Sequence, residues 1–236
     1  MFKDALNYLG KYVVAIFMSF FIVVACVSLF TMAMGEKVGY DVFALNKETG
    51  KNELLYHHDY ADGEDTLYAQ YEGQDLVLTK SNNIVLADNF KKAAYFISSV
   101  LSILLTVVII YVTAWNKGNK DINRVQLGKI TENKNLGLLA GLIANIPFVA
   151  LYILLILCRF EVLNPAFLSI FRACNSHLYG IIYWIYGSAV VASDLSILRL
   201  LALSITVLFL PIVCWLGYLL GYNDIQIMHR LMYKQK

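Results

Sequence analysis

Four stretches of the chain are apolar almost without interruption and carry no Asp, Glu, Lys, Arg or His in their interiors: residues 12–35, 93–115, 136–158 and 195–221. The shortest has 23 residues, which at 1.5 Å per residue exceeds the ~30 Å of a bilayer's hydrocarbon core. Each therefore reads as a transmembrane helix. Five polar or mixed stretches alternate with them: 1–11, 36–92, 116–135, 159–194 and 222–236. The fold class expected is a mainly α membrane protein. It has four transmembrane helices, a small α+β domain between the first two, and an interfacial helical segment between the third and fourth.

Residues 1–11 place Phe2, Leu6 and Leu9 on one helical face, which suits an interfacial lead-in. The first apolar run is longer than the ~7–15 residues of a signal-peptide core, and residues 31–35 match a cleavage site poorly, so an uncleaved first span is expected. In residues 36–92 the periodicity changes. Val38, Tyr40 and Val42 alternate with polar neighbours as in a strand, 46–52 reads as a turn, and 53–57 as the returning strand of a hairpin. Asp62 is placed to cap a short helix containing Leu67, Tyr68 and Tyr71, with a strand over 66–72 as the alternative. Residues 76–80 and 84–87 read as two further extended pieces around Ser81, Asn82 and Asn83.

Residues 159–194 are harder to place. Asn164 and Pro165 signal a helix start, after which Ala166, Phe167, Ile170, Phe171 and Cys174 share one face opposite Ser169, Arg172 and Ser176. Residues 178–192 are apolar and aromatic, but short for a span and interrupted by Gly180 and Gly187. The segment reads as interfacial or re-entrant rather than as a fifth span. Small-residue stripes mark packing faces: Ser98, Ser102 and Thr106; Gly137, Gly141 and Asn145; Gly217 and Gly221. Pro147 and Pro211 are expected to bend the third and fourth spans, Asn145 to make an interhelical hydrogen bond, and Arg199 to snorkel to the headgroups.

Composition agrees with the pattern: the chain of 236 residues is 59% hydrophobic and 15% charged, where a soluble domain carries about 25% charge. The charges then set an orientation. Lys117, Lys120, Arg124, Lys129 and Lys134 crowd one short connector against Asp121 and Glu132 alone, and short basic loops stay in the cytosol. The basic tail falls on the same side, as does the N-terminus. The acid-rich residues 36–92 fall outside, and the expected address is a plasma membrane crossed several times. A net charge of +2 gives no reason to expect a nucleic-acid partner.

Chemistry is sparse. His57, His58, Asp59, Asp62, Glu64 and Asp65 form the one metal-like cluster, yet Tyr60 and Ala69 break the calcium-loop pattern, and a solvated turn before a capped helix explains the same residues. No nucleophile elbow, phosphate loop or zinc-protease motif is present. Cys158 and Cys174 are the pair placed to meet outside the membrane; Cys26 and Cys214 read as packing residues. No catalytic, cofactor-binding or metal-binding residue is assigned, and no cofactor is expected. The function expected is that of a non-enzymatic accessory, sensor or assembly subunit whose partners are the lipid bilayer and other membrane or envelope proteins. The alternative is an oligomeric channel or carrier for a small neutral or hydrophobic solute, with Asn145, Ser102 and Thr106 as its polar lining.

At residues 57–66, and again at 216–222 with the basic tail, the chain resembles a group of uncharacterised four-span membrane proteins of Gram-positive anaerobic bacteria. In that group a short outer domain follows the first span. The resemblance implies a bacterial plasma membrane and carries over neither an activity nor a site residue.

Overall fold

In the computed structural model the described residues are 1–45, 52–63, 65, 67, 68, 71, 77–164, 166–186 and 191–223. They divide into two compact units, Met1–Ala25 with Tyr95–Lys236, and Cys26–Ala94. Residues 46–51, most of the helix expected over 62–73, Pro165, Gly187 and nearly all of the basic tail lie outside the described residues.

The larger unit is helical. Helix α1 spans Phe2–Met34 and α2 spans Asp88–Gln126. Helices α3 (Leu136–Ala144) and α4 (Ile146–Arg159) meet at Asn145 with a bend of 49°. Two eight-residue helices follow, α5 (Phe167–Cys174) and α6 (Tyr179–Tyr186), and then α7 (Ile197–Ala202) and α8 (Ile205–Tyr222). Three helical stretches, Phe2–Met34, Asp88–Gln126 and Ile197–Tyr222, are long and apolar enough to cross a membrane, and the bent α3–α4 pair makes a fourth if it is one span. The chain is a mainly α, multi-span membrane protein.

Helix α2 continues well into the basic connector. It does so because one face of that extension is buried: Gly118 and Asp121 pack inward. The helix ends in a Schellman turn. Lys129 N–H donates to Arg124 O and Gly128 N–H to Val125 O, with Gly128 at φ 66°. Arg159 ends α4 in the same way, through Val162 N–H to Leu157 O and Glu161 N–H to Cys158 O, but there the left-handed position holds Glu161 at φ 60°.

The small-residue stripes set the packing. A side chain at Gly118 or Gly221 would run into backbone of the facing helix, Tyr218 for the first and Trp115 for the second, and one at Gly217 would come within 2.9 Å of Ala114. Helix α3 lies on α8 in the same manner: a Cβ at Gly141 would sit 2.9 Å from Cys214 Cβ and 3.0 Å from Pro211 Cα. Close backbone approach of this kind drives association where lipid and side chains are equally apolar.

Helices α5 and α6 enter the bundle and return. Their connecting turn, residues 175–178, is buried throughout: Asn175, Ser176 and Leu178 are 1% exposed and His177 0%. Ser176 Oγ donates to Ile16 O at 2.7 Å, and His177 packs against Tyr12 and Phe209. Tyr12 in turn meets Phe148. Ile16, Phe148 and Phe209 each lie near the midpoint of their own stretch, 2–34, 136–159 and 197–222. The turn therefore sits at mid-length of the bundle, and Ser176, expected on an outward polar face, is buried there. Arg172, in the last turn of α5, donates to the Tyr186 hydroxyl; Arg199 Nη1 donates to Tyr186 O at 3.0 Å, and Arg159 donates to Leu195 O. Arg199, exposed in α7, thus caps a carbonyl.

The smaller unit carries a three-stranded antiparallel sheet of order β2–β1–β3, with β1 at Glu36–Leu45, β2 at Asn52–Asp59 and β3 at Leu78–Val85. Ser81, Asn82 and Asn83 were expected to separate two short strands; they lie inside the single strand β3, where Asn83 reaches across to Asp41 on β1. Tyr40, Val42 and Ala44 form the buried face of β1. The helical residues Leu67, Tyr68 and Tyr71 are capped by Asp65, whose Oδ1 accepts from Tyr68 N–H at 2.9 Å. Asp62, the expected cap, instead lies in a short 3-10 turn, Tyr60–Asp62, capped by Asp59.

Candidate functional site

The polar groups at mid-bundle begin with a proline. Pro211 has no N–H, so the carbonyl of Val207 one turn earlier in α8 loses its helical donor. Asn145, at the break between α3 and α4, replaces it: Asn145 Nδ2 donates to Val207 O at 2.6 Å. This is the interhelical hydrogen bond expected of Asn145, and it explains why α8 runs through Pro211 without a break. The interruption of the fourth stretch falls earlier, at Leu203 and Ser204 between α7 and α8. The α3–α4 bend does fall beside Pro147.

The second group is the turn between α5 and α6. His177 Nε2 lies 2.8 Å from the Tyr12 hydroxyl. Three aromatic contacts box this pair: Tyr12 with Phe148 at 4.8 Å, Tyr12 with Phe209 at 6.5 Å, and His177 with Phe209 at 5.2 Å between ring centroids. Because Nε2 is engaged with Tyr12, Nδ1 is the ring nitrogen left over. Among the described residues it has no hydrogen-bond partner, and neither have Asn175 Oδ1, Asn145 Oδ1 or Ser102 Oγ. Burial of such atoms is costly, on the order of 1–3 kcal/mol each, so their concentration in one bundle calls for an explanation. Among the described residues no carboxylate, lysine or arginine is hydrogen-bonded to His177, whose partner is the neutral Tyr12 hydroxyl.

The stripe on α2 makes a third group. Thr106 Oγ1 donates to Ser102 O at 2.8 Å and lies 3.5 Å from Ser19 Oγ on α1, while Ser99 Oγ accepts from Gly180 N–H at 2.6 Å. Ser102, Thr106 and Asn145 were expected to line one polar pocket. They are instead divided between the α1–α2 contact and the α3–α8 contact. His177 was not singled out from the sequence. The available signal was the polar run Asn175-Ser176-His177 between two short apolar helices; a solvated loop would give the same run.

A cluster of charges lies at one end of the helical unit. The Asp121 carboxylate, 2% exposed, stands 3.3 Å from Lys117 Nζ and 4.0 Å from Arg124, and Tyr218 OH donates to it at 3.2 Å. Lys117 also pairs with Asp4 at 3.4 Å.

In the sheet unit, His57 and His58 point to opposite faces, as neighbours on a strand must. His57 Nδ1 is 2.7 Å from Asp41 Oδ1, and His58 packs on Tyr40 and Tyr60. They cannot share one ligand. Hydrogen bonding from His57 and Asn83 holds the Asp41 carboxyl below its usual range. Asp65 accepts from the hydroxyls of Tyr40 and Tyr56 at 2.5 and 2.8 Å. Desolvation opposes its ionisation, but these two bonds, the Tyr68 amide and nearby His58 outweigh it and bring the carboxyl down to about 2. Lys80 Nζ stands 4.5 Å from the centroid of Tyr40 and 3.4 Å from that of Tyr68. Among the described residues no group of three or more His, Cys, Asp or Glu is placed to hold a metal ion, and all four cysteines are free.

Compared with family models, curated proteins and solved structures, the chain matches none.

Proposed function

We propose that the chain is a non-enzymatic protein of a bacterial plasma membrane that works as an accessory, sensor or assembly subunit, with both termini in the cytosol and the sheet unit outside. The reading is carried by one observation: the three-stranded sheet, which falls in the chain between two membrane-length helices, belongs with the adjoining ends of those helices to a compact unit of its own, Cys26–Ala94. The orientation rests on Lys117, Lys120, Arg124, Lys129 and Lys134 in the connector, and the bacterial address on the resemblance at 57–66 and 216–222. Partners are other membrane or envelope proteins, met through the sheet unit. A photo-crosslinking amino acid at His57, whose side chain is 53% exposed, tests this in native membranes. Discrete protein adducts are expected; a labelled monomer alone would sink the reading.

A second reading has its own support. A buried turn at mid-length, helix breaks at Asn145 and at Leu203–Ser204, and unpartnered polar atoms resemble the layout of solute sites in carriers. In it, residues 167–186 are re-entrant and the solute is small and neutral. Glycerol uptake by proteoliposomes, followed by light scattering, decides the matter. Uptake abolished by His177→Leu supports a carrier; uptake no faster than in empty vesicles removes it.

A further inference from the structure

A cavity of about 300 Å³ opens between α1 and α2 beside Asp4, Asn7, Thr113, Asn116, Lys117 and Lys120. Its size is at the low end of small-molecule sites. Two polar stripes meet there. On α1, Lys3, Asn7 and Lys11 recur every fourth residue and are exposed; on α2, Thr113, Asn116 and Lys120 follow one face. Lys117 is held in the wall by Asp4 and Asp121. Lys3, Lys11 and Lys120 make no ion pair among the described residues. Immediately along the same helices the character changes. Val14 and Met18 on α1, and Val108 and Val112 on α2, are exposed and apolar. The hydrogen-bonding cavity with Lys117 and Lys120 in its wall is thus followed, along both helices, by exposed apolar side chains.

We propose that this cavity binds the phosphate of an anionic phospholipid, with the acyl chains lying over the exposed Val14, Met18, Val108 and Val112. The positive cavity selects the negative headgroup, and the asparagine amides and the Lys120 ammonium supply donors to the phosphate oxygens. A free phosphate would satisfy the cavity but leave the apolar faces unused. The inference needs the chain to be a membrane protein, but not its orientation or its role as a subunit.

The full chain in detergent, mixed with equal phosphatidylglycerol and phosphatidylcholine, is examined by native mass spectrometry. Retention of phosphatidylglycerol in at least tenfold preference is expected. Lys11→Gln with Lys120→Gln should abolish the preference, while Lys129→Gln, on the connector away from the cavity, should leave it intact. Equal loss in the Lys129 variant would mean that only net charge matters and would overturn the site. Retained preference in the double variant would overturn it too. Millimolar inorganic phosphate should fail to displace the lipid; displacement would show a site for soluble phosphate and contradict the lipid assignment.

Discussion

The side-chain amide of Asn145 lies 2.6 Å from the carbonyl oxygen of Val207, the acceptor that Pro211 leaves without a helical donor. Two sequence features that look independent are therefore one device: a proline opens a carbonyl in α8, and an asparagine at the break of another helix closes it. Asn145→Ala should cost about 1–2 kcal/mol, the range of interhelical hydrogen bonds in model membrane peptides. In a Pro211→Ala background, where residue 211 again donates to Val207, the same substitution should cost markedly less. A double-mutant cycle read by unfolding in mixed micelles checks this. Equal costs in both backgrounds would break the link between the two residues.

The turn at residues 175–178 should be shielded from both aqueous phases. In a cysteine-free background, Ser176→Cys is expected to resist a membrane-impermeant maleimide added from either side, whereas Ser196→Cys, at the exposed start of α7, should react from one side. Rapid labelling of Ser176→Cys would place the turn at the surface. Tyr12→Phe should weaken the same turn by roughly 1–3 kcal/mol, because it removes the hydroxyl 2.8 Å from His177 Nε2.

The glycines of α8 and α1 should respond in opposite ways to one methyl group. At Gly221 an added Cβ meets the Trp115 carbonyl, which cannot move away without separating α8 from α2. Gly221→Ala is expected to destabilise by about 1–3 kcal/mol through overpacking. At Gly10 nothing lies within 4 Å, and Gly10→Ala should stabilise α1 by up to ~1 kcal/mol through helix propensity. Thermal stability of the purified protein measures both.

Acid should loosen the sheet unit through Asp65. Its folded carboxyl is depressed to about 2, below the ~3.9 of an unfolded aspartate. A depressed folded value means that the stabilisation is fully present above about 4 and is lost as pH falls toward about 2. Limited proteolysis with pepsin across that interval should show the sheet unit becoming cleavable. Asp65→Asn should make it cleavable at the upper end of the interval already, and a wild-type profile in that variant would count against the role given to Asp65.

The apolar runs were legible because length and composition alone make them so: the first run lies in α1 but for its last residue, Gly35, and residues 93–115 fall within α2. The hairpin β1–β2 was legible from the alternation at Val38, Tyr40 and Val42. Other features depend on distant partners. Pro211 looks like a breaker until Asn145 is seen to repair its defect. Lys117, Asp121 and Arg124 look like a solvated loop, yet Gly118 and Asp121 make one face of that segment fit α8. The amphipathic pattern of 166–176 is the same for a helix on a lipid surface and for one packed on α4, so His177 stayed hidden. Only the tertiary contacts with Tyr12 and Phe209 separate the two.

The account turns on which side of the membrane holds the basic connector. Single cysteines at Lys129 and Asp62, again in a cysteine-free background, test it in intact cells with an impermeant thiol reagent. Asp62→Cys is expected to label at once, and Lys129→Cys only after the cells are permeabilised. Immediate labelling at Lys129, with Asp62 protected until permeabilisation, would reverse the orientation and contradict the proposed external unit.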